Sequence, residues 1–234
     1  MARAMLSAAG PGVLESEVYA AGMAAAFERG TVVPGMHLWS GAAPLGAAPP
    51  AWAYRPQRPR VLQDGDLILA EVFSAFGMRA TQHQVAIAVG EVHPDVERAA
   101  AVARSAYDAG LSALRPKSTL GEVAAAMLKP SQDASAWVCR PQVHGLNPFG
   151  AFRGFPADVG EISGAENYPG WATPFATRLG DMELEPGMVF AFEPNCGFGR
   201  RSVTIGGTVI VGQDEAIELN PYTARVLRVG NVAG

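Results

Sequence analysis

Cysteine is nearly missing from this chain: 234 residues contain two, Cys139 and Cys196. Two thiols cannot build a disulfide framework or a four-cysteine zinc site. Lysine is as scarce, two of eighteen basic residues, and twenty-two acidic residues outnumber the basic ones. The resulting net charge of −4 lacks the basic face that nucleic-acid binding requires. No apolar run approaches the roughly 18 residues of a membrane span. Met1 to Gly10 has no cationic stretch followed by a long apolar core, so no export signal is read there. The expectation is a cytoplasmic globular protein with neither nucleic acid nor membrane as partner. At this length a single core buries roughly 70–75% of the unfolded surface.

What the sequence does contain is repetition. Pro11…Glu17-Val18 opens one alanine-rich helical stretch and Pro116…Glu122-Val123 opens another, with Glu-Val at the same offset from each proline. Ser118 or Thr119 supplies a cap for the second. Leu62-Gln-Asp-Gly65-Asp-Leu-Ile-Leu-Ala-Glu71 aligns without gaps on Leu184-Glu-Pro-Gly187-Met-Val-Phe-Ala-Phe-Glu193. Each is a glycine turn leading into an apolar strand with a carboxylate six residues after the glycine. Two matches in the same order imply one domain over 1–234, with half-repeats at about 10–112 and 113–220. Periodicity predicts helices over 14–29, 95–113 and 119–129. Strands are predicted over 32–39, 66–75, 82–89, 188–194, 202–211 and 214–219, and the Pro/Gly-rich stretches 41–59 and 153–180 are predicted as loops.

Ser40-Gly41, Leu62 to Leu69, Val89-Gly90, His144-Gly-Leu, Leu184…Glu193-Pro194 and Val203-Thr-Ile-Gly-Gly-Thr-Val-Ile-Val211 resemble, in order and spacing, the pita-bread family. That family comprises methionine aminopeptidases, aminopeptidase P, prolidase and creatinase. The resemblance implies an α+β fold of two pseudo-symmetric halves, each a curved antiparallel sheet backed by helices, with the active site between them. It implies a catalytic domain without the N-terminal domain of creatinase and prolidase, its first helix shortened. Family members are often dimers, so a homodimer is an open expectation.

The family's peptidases hold two divalent ions with two Asp, one His and two Glu. Carried over, the first Asp falls on Glu71 and the second on Gln82, which has no anionic oxygen. The histidine falls on His144 or, in a second alignment, on Pro148. The first Glu falls on Glu193 and the last on Gly206, with Gly207 beside it. This set lacks the charge to hold an ion pair, so no metal and no cofactor are expected, and the family's dinuclear peptidase chemistry is excluded. Creatinase, which also lacks the metal set, hydrolyses a small carbon–nitrogen substrate with a histidine as proton carrier.

The first expectation is therefore a metal-independent enzyme cleaving a carbon–nitrogen bond in a small molecule. Glu71, Glu193 and His144 are the candidate catalytic groups. Gln82, His83, Tyr54, Trp52, Arg153 and Cys196 are candidate substrate contacts. Imidazole is the usual proton shuttle near neutral pH, and tryptophan and tyrosine stack on flat or cationic groups. An arginine pairs bidentately with a carboxylate. Strand alternation turns only one of Gln82 and His83 into the site, and His37 is placed near the rim. The same groups would serve a lyase, dehydratase or isomerase. A catalytically silent binding module and a residual Xaa-Pro type metallopeptidase are the other readings.

Overall fold

The computed structural model describes residues 1–33, 35–45, 48–77, 79–139, 141–146, 153–154 and 179–230. The chain starts with α1 (Ala2–Ala8) and α2 (Glu15–Phe27). The start of α2 is fixed by Glu17, whose carboxylate accepts the Leu14 backbone N–H at 2.8 Å. Strands β1 (Met36–Gly41), β2 (Asp66–Phe76) and β3 (Arg79–Val89) follow as an antiparallel meander. Gly77, at φ +55°, lies in the β2–β3 turn.

Helix α3 (Pro94–Ala113) opens with proline in its first turn and His93 as cap, its ring nitrogen accepting the Asp95 N–H at 3.1 Å. Helix α4 (Leu120–Asp133) is capped by Thr119, which accepts from the Glu122 N–H while Glu122 accepts from the Thr119 N–H. The remaining strands are β4 (Val143–Gly145), β5 (Arg153–Gly154), β6 (Val189–Phe192), β7 (Asn195–Phe198), β8 (Arg201–Thr204), β9 (Gly207–Val211), β10 (Ala216–Glu218) and β11 (Leu227–Arg228). One sheet has the order β1-β2-β3-β11 and a second β10-β9-β6-β4-β5, while β7 and β8 form a separate hairpin.

The first sheet is covered on both faces. Ile68, Ala70, Val85 and Ile87 pack toward α1 and α2 with Met5, Val18, Met36 and Leu38. Leu67, Leu69, Ala86 and Ala88 pack toward α3 and the β7–β8 hairpin with Ala99, Ala103 and Val203. Burial on both faces explains why Leu67 to Ala70 reads as an unbroken apolar run rather than an alternation. A third cluster, with Tyr107, Met127, Phe190, Phe192 and Val209, seals α3 and α4 against the second sheet.

The helices and the central strands lie close to their predicted positions. The predicted strand over 202–211 is broken, because Gly206 adopts φ +114°, outside the range of a regular strand. The predicted strand over 188–194 stops at Phe192, leaving Glu193 between β6 and β7 rather than within a strand. The strands Val143–Gly145 and Asn195–Phe198, three and four residues long, carry too little periodicity to be foreseen. Most of the predicted loop over 153–180, and Pro148, lie outside the described residues.

The two sheets meet along β3 and β9. The Gln84 N–H donates to the Gly206 carbonyl at 3.1 Å. The Thr208 hydroxyl accepts the Gln82 N–H and donates to the Gln82 carbonyl, both at 3.0 Å. These contacts carry Gln82 from the first sheet into the second sheet's surface.

The seam between α3 and the second sheet is tight at Gly110, where a Cβ would lie 2.6 Å from the Phe192 ring and 2.7 Å from Met127. Gly110→Ala is expected to cost about 1–3 kcal/mol through overpacking. Thermal unfolding checks this: the midpoint should fall by about 2–4 °C per kcal/mol.

Candidate active site

Strand alternation decides which side chains enter the space between the sheets. In β1, Met36 and Leu38 turn into the first core, so His37 turns the other way. His37 stands directly opposite Glu71 in the β1–β2 register, and Glu71 opposite Gln84 in the β2–β3 register. Gln82, two residues before Gln84, shares that face. From the second sheet come His144 on β4 and Glu193, whose N–H is fixed by the Gln142 carbonyl at 2.8 Å.

These residues form one hydrogen-bonded row. His37 Nδ1 lies 3.0 Å from Glu71 Oε2. The Gln82 side-chain amide donates to both Glu71 Oε1 and Glu193 Oε1. On the far side, His144 Nε2 lies 3.0 Å from Glu193 Oε1, and His144 Nδ1 lies 3.1 Å from the Gly145 carbonyl. Glu71, Gln82 and Glu193 are buried, at 9%, 6% and 5% exposure. An ionised carboxylate only accepts, so the amide N–H₂, not its oxygen, faces the two glutamates.

His144 has an acceptor at each nitrogen. A neutral imidazole has one N–H, so both contacts are hydrogen bonds only when the ring is an imidazolium or Glu193 carries the proton. Burial opposes the charged ring. The hydrogen bond that the ring donates to Glu193, the charge of Glu193, the Gly145 carbonyl and the charge of Glu71 outweigh that penalty, and His144 is held above its ordinary value.

His83, Cys196 and Trp52 lie elsewhere. His83 faces away from the row, with Nδ1 3.3 Å from the Thr223 hydroxyl. Its ring fills the space that a side chain at position 207 would occupy. Burial pushes His83 down to about 4. Cys196 is fully buried in the α3-facing core with its thiol 3.3 Å from the Ala99 carbonyl, and burial pushes the thiol up to about 12. Trp52, in a short 3₁₀ turn over Ala51–Ala53, packs edge-on against Tyr19 of α2 rather than lining the site. Tyr54 is 75% exposed. Arg153 pairs with His144 in the β4–β5 register, but its side chain lies outside what the structure describes. His37, expected only near the rim, and Thr208, which was not singled out, join the site, because both depend on pairings between strands distant in sequence.

Comparison with known proteins agrees with this architecture. The sequence profile described as metallopeptidase family M24 matches residues 1–213. The dipeptidase PepE of Mycobacterium ulcerans is similar in structure, at TM-score 0.71 and 21% identity, over 97% of this chain and 55% of that one. The X-Pro aminopeptidase of Thermotoga maritima superposes at TM-score 0.72 and 16% identity, over 96% of this chain and 58% of that one. The Xaa-Pro dipeptidase of Bacillus anthracis gives TM-score 0.71 and 19% identity, over 96% of this chain and 57% of that one. The chain thus spans a little over half the length of these proteins. No curated protein matches it by sequence. The fold is the pita-bread fold, α+β with two antiparallel-rich sheets. The chain belongs to metallopeptidase family M24.

The donor set does not fit the ion pair that this membership implies. The Gln82 amide lies between the two carboxylates with its N–H₂ toward both, where a cation would need oxygen donors. Gly206 carries no ligand, its φ of +114° disfavours any side chain, and a Cβ there would overlap the Phe192 carbonyl. Among the described residues, no group of three or more His, Cys, Asp or Glu is arranged to hold a metal ion. Also among the described residues, no helix is long and apolar enough to cross a membrane.

His83 and His144, both half-buried, bend stability in opposite directions. His83 is lowered in the native state, so its contribution is complete above the unfolded value of about 6.5 and is lost as pH falls toward 4. His144 is raised, so its contribution is complete below about 6.5 and is lost as pH rises through its native value. Thermal unfolding from pH 4 to 9 checks both signs. His83→Gln should flatten the acid limb, and His144→Gln the alkaline limb.

Proposed function

We propose that this chain is a metal-independent enzyme that cleaves a carbon–nitrogen bond in a small molecule by acid/base catalysis. The observation that carries the reading is the Gln82 amide joining Glu71 and Glu193, with a histidine on the outer side of each. Two like-charged carboxylates brought together need a cation or donors between them. Here the two amide protons take that role, each a charge-assisted bond worth about 1.5–3 kcal/mol. A fixed amide cannot ionise water or polarise a carbonyl as a metal ion does. The proton-carrying His144–Glu193 pair, at one end of the row, is the chemistry left to the site.

That pair is suited to protonating a leaving nitrogen, and Gln82 to orienting the substrate together with the carboxylates. The similar proteins are named as dipeptidases and aminopeptidases, which also break carbon–nitrogen bonds, and creatinase supplies a precedent for such chemistry without metal. Nucleic acid and membrane stay outside the reading.

The test is an assay of chelator-treated protein on creatine, ureido acids and Xaa-Pro dipeptides. Turnover of a small carbon–nitrogen compound that survives the chelator, and falls on the order of 10²–10⁴-fold in Glu193→Gln, is the expected result. Cleavage of Xaa-Pro dipeptides alone, and only after Mn²⁺ is added, would contradict it.

A further inference from the structure

The row of side chains is not symmetrical in its hydrogen bonds. His144 has both nitrogens on protein acceptors, the Gly145 carbonyl at 3.1 Å and Glu193 Oε1 at 3.0 Å, and its side chain is 13% exposed. His37 has only Nδ1 engaged, on Glu71 Oε2 at 3.0 Å, and its side chain is 29% exposed. His37 Nε2 makes no hydrogen bond to any described residue. The ring is clamped at two points, by Glu71 and by Phe73, whose ring stands edge-on at 5.5 Å and 80°. Phe73 and Glu71 are two residues apart on β2 and so share a face.

We infer that His37, held by Glu71, is the general base of the site, and that the His144–Glu193 pair is its acid. The inference rests on the acid/base reading above and divides the roles within it. A carboxylate accepts only, so Glu71 requires the proton on Nδ1. The neutral ring is thereby fixed in the tautomer whose lone pair is on Nε2, the nitrogen that bonds to no described residue. This is the arrangement by which a buried carboxylate orients a catalytic histidine and stabilises the imidazolium it becomes. His144 cannot take the part, because its two nitrogens face protein acceptors.

The balance of the step is simple. His37 Nε2 takes a proton from water as the water oxygen bonds to the electrophilic carbon. The carbon–nitrogen bond breaks with its electron pair on nitrogen, and that nitrogen takes a proton from the His144–Glu193 pair. One dyad gains a proton and the other loses one, and exchange with solvent restores both. Glu71 therefore acts as a positioning residue, and His37 touches the reacting water.

Two measurements test this separately from the broader reading. In ¹⁵N-histidine NMR of the full chain near neutral pH, with His37→Asn to assign the signals, the unprotonated nitrogen of His37 should be Nε2. In Glu71→Gln the population should move toward the Nε2–H tautomer. An Nε2–H tautomer in the wild type, or a tautomer that Glu71→Gln leaves unchanged, overturns the proposal without touching the rest of the site. On whichever compound the chelator-treated protein turns over, His37→Asn should lower kcat on the order of 10²–10⁴-fold with little change in KM. Unchanged kcat in His37→Asn, with Glu193→Gln inactive, assigns the base elsewhere and leaves the acid/base reading standing. A well-formed His37–Glu71 dyad with no turnover of any compound sinks that reading, and this role with it.

Discussion

The side-chain amide of Gln82 is the constraint on which the site depends. It donates to two buried carboxylates that come from distant parts of the chain and so joins them. Its placement is secured by the backbone. The Thr208 hydroxyl grips both the N–H and the carbonyl of Gln82, and the neighbouring Gln84 N–H binds the Gly206 carbonyl. Removing the amide would take away the donor that joins Glu71 to Glu193.

Changes around the row are coupled to that constraint. Gly206 has a backbone conformation that favours glycine, and its carbonyl is the acceptor joining the sheets while also receiving the Thr223 hydroxyl at 2.8 Å. Gly207 leaves the volume that the His83 ring occupies. The two glycines at the family's last metal-ligand position thus take part in the packing of this site. His83, pushed down to about 4, is a neutral filler there rather than a proton carrier.

Much of this was legible in the sequence because it rests on local patterns. The gapless match of Leu62–Glu71 to Leu184–Glu193 anticipates that the two glutamates converge, as they do on the Gln82 amide, and strand alternation anticipates that Gln82 and His83 diverge. Helices with caps and regular apolar spacing, such as Pro94–Ala113, follow the same logic. What could not be read depends on distant pairings. His37 meets Glu71 only through the β1–β2 register, with 34 residues between them. Cys196 is expected near the site because it follows Glu193 by three residues, and Trp52 because its loop is expected to line the site. A short strand turns the first into the α3 core, and a 3₁₀ turn stacks the second on Tyr19.

Calorimetric titration of Mn²⁺ into chelator-treated protein, with Gln82→Asp alongside, tests the central claim most directly. The account predicts no saturable binding to the wild type, because the amide presents protons where the ion needs oxygen. Saturable uptake of two ions by the wild type would show that the amide yields to metal, and would contradict it.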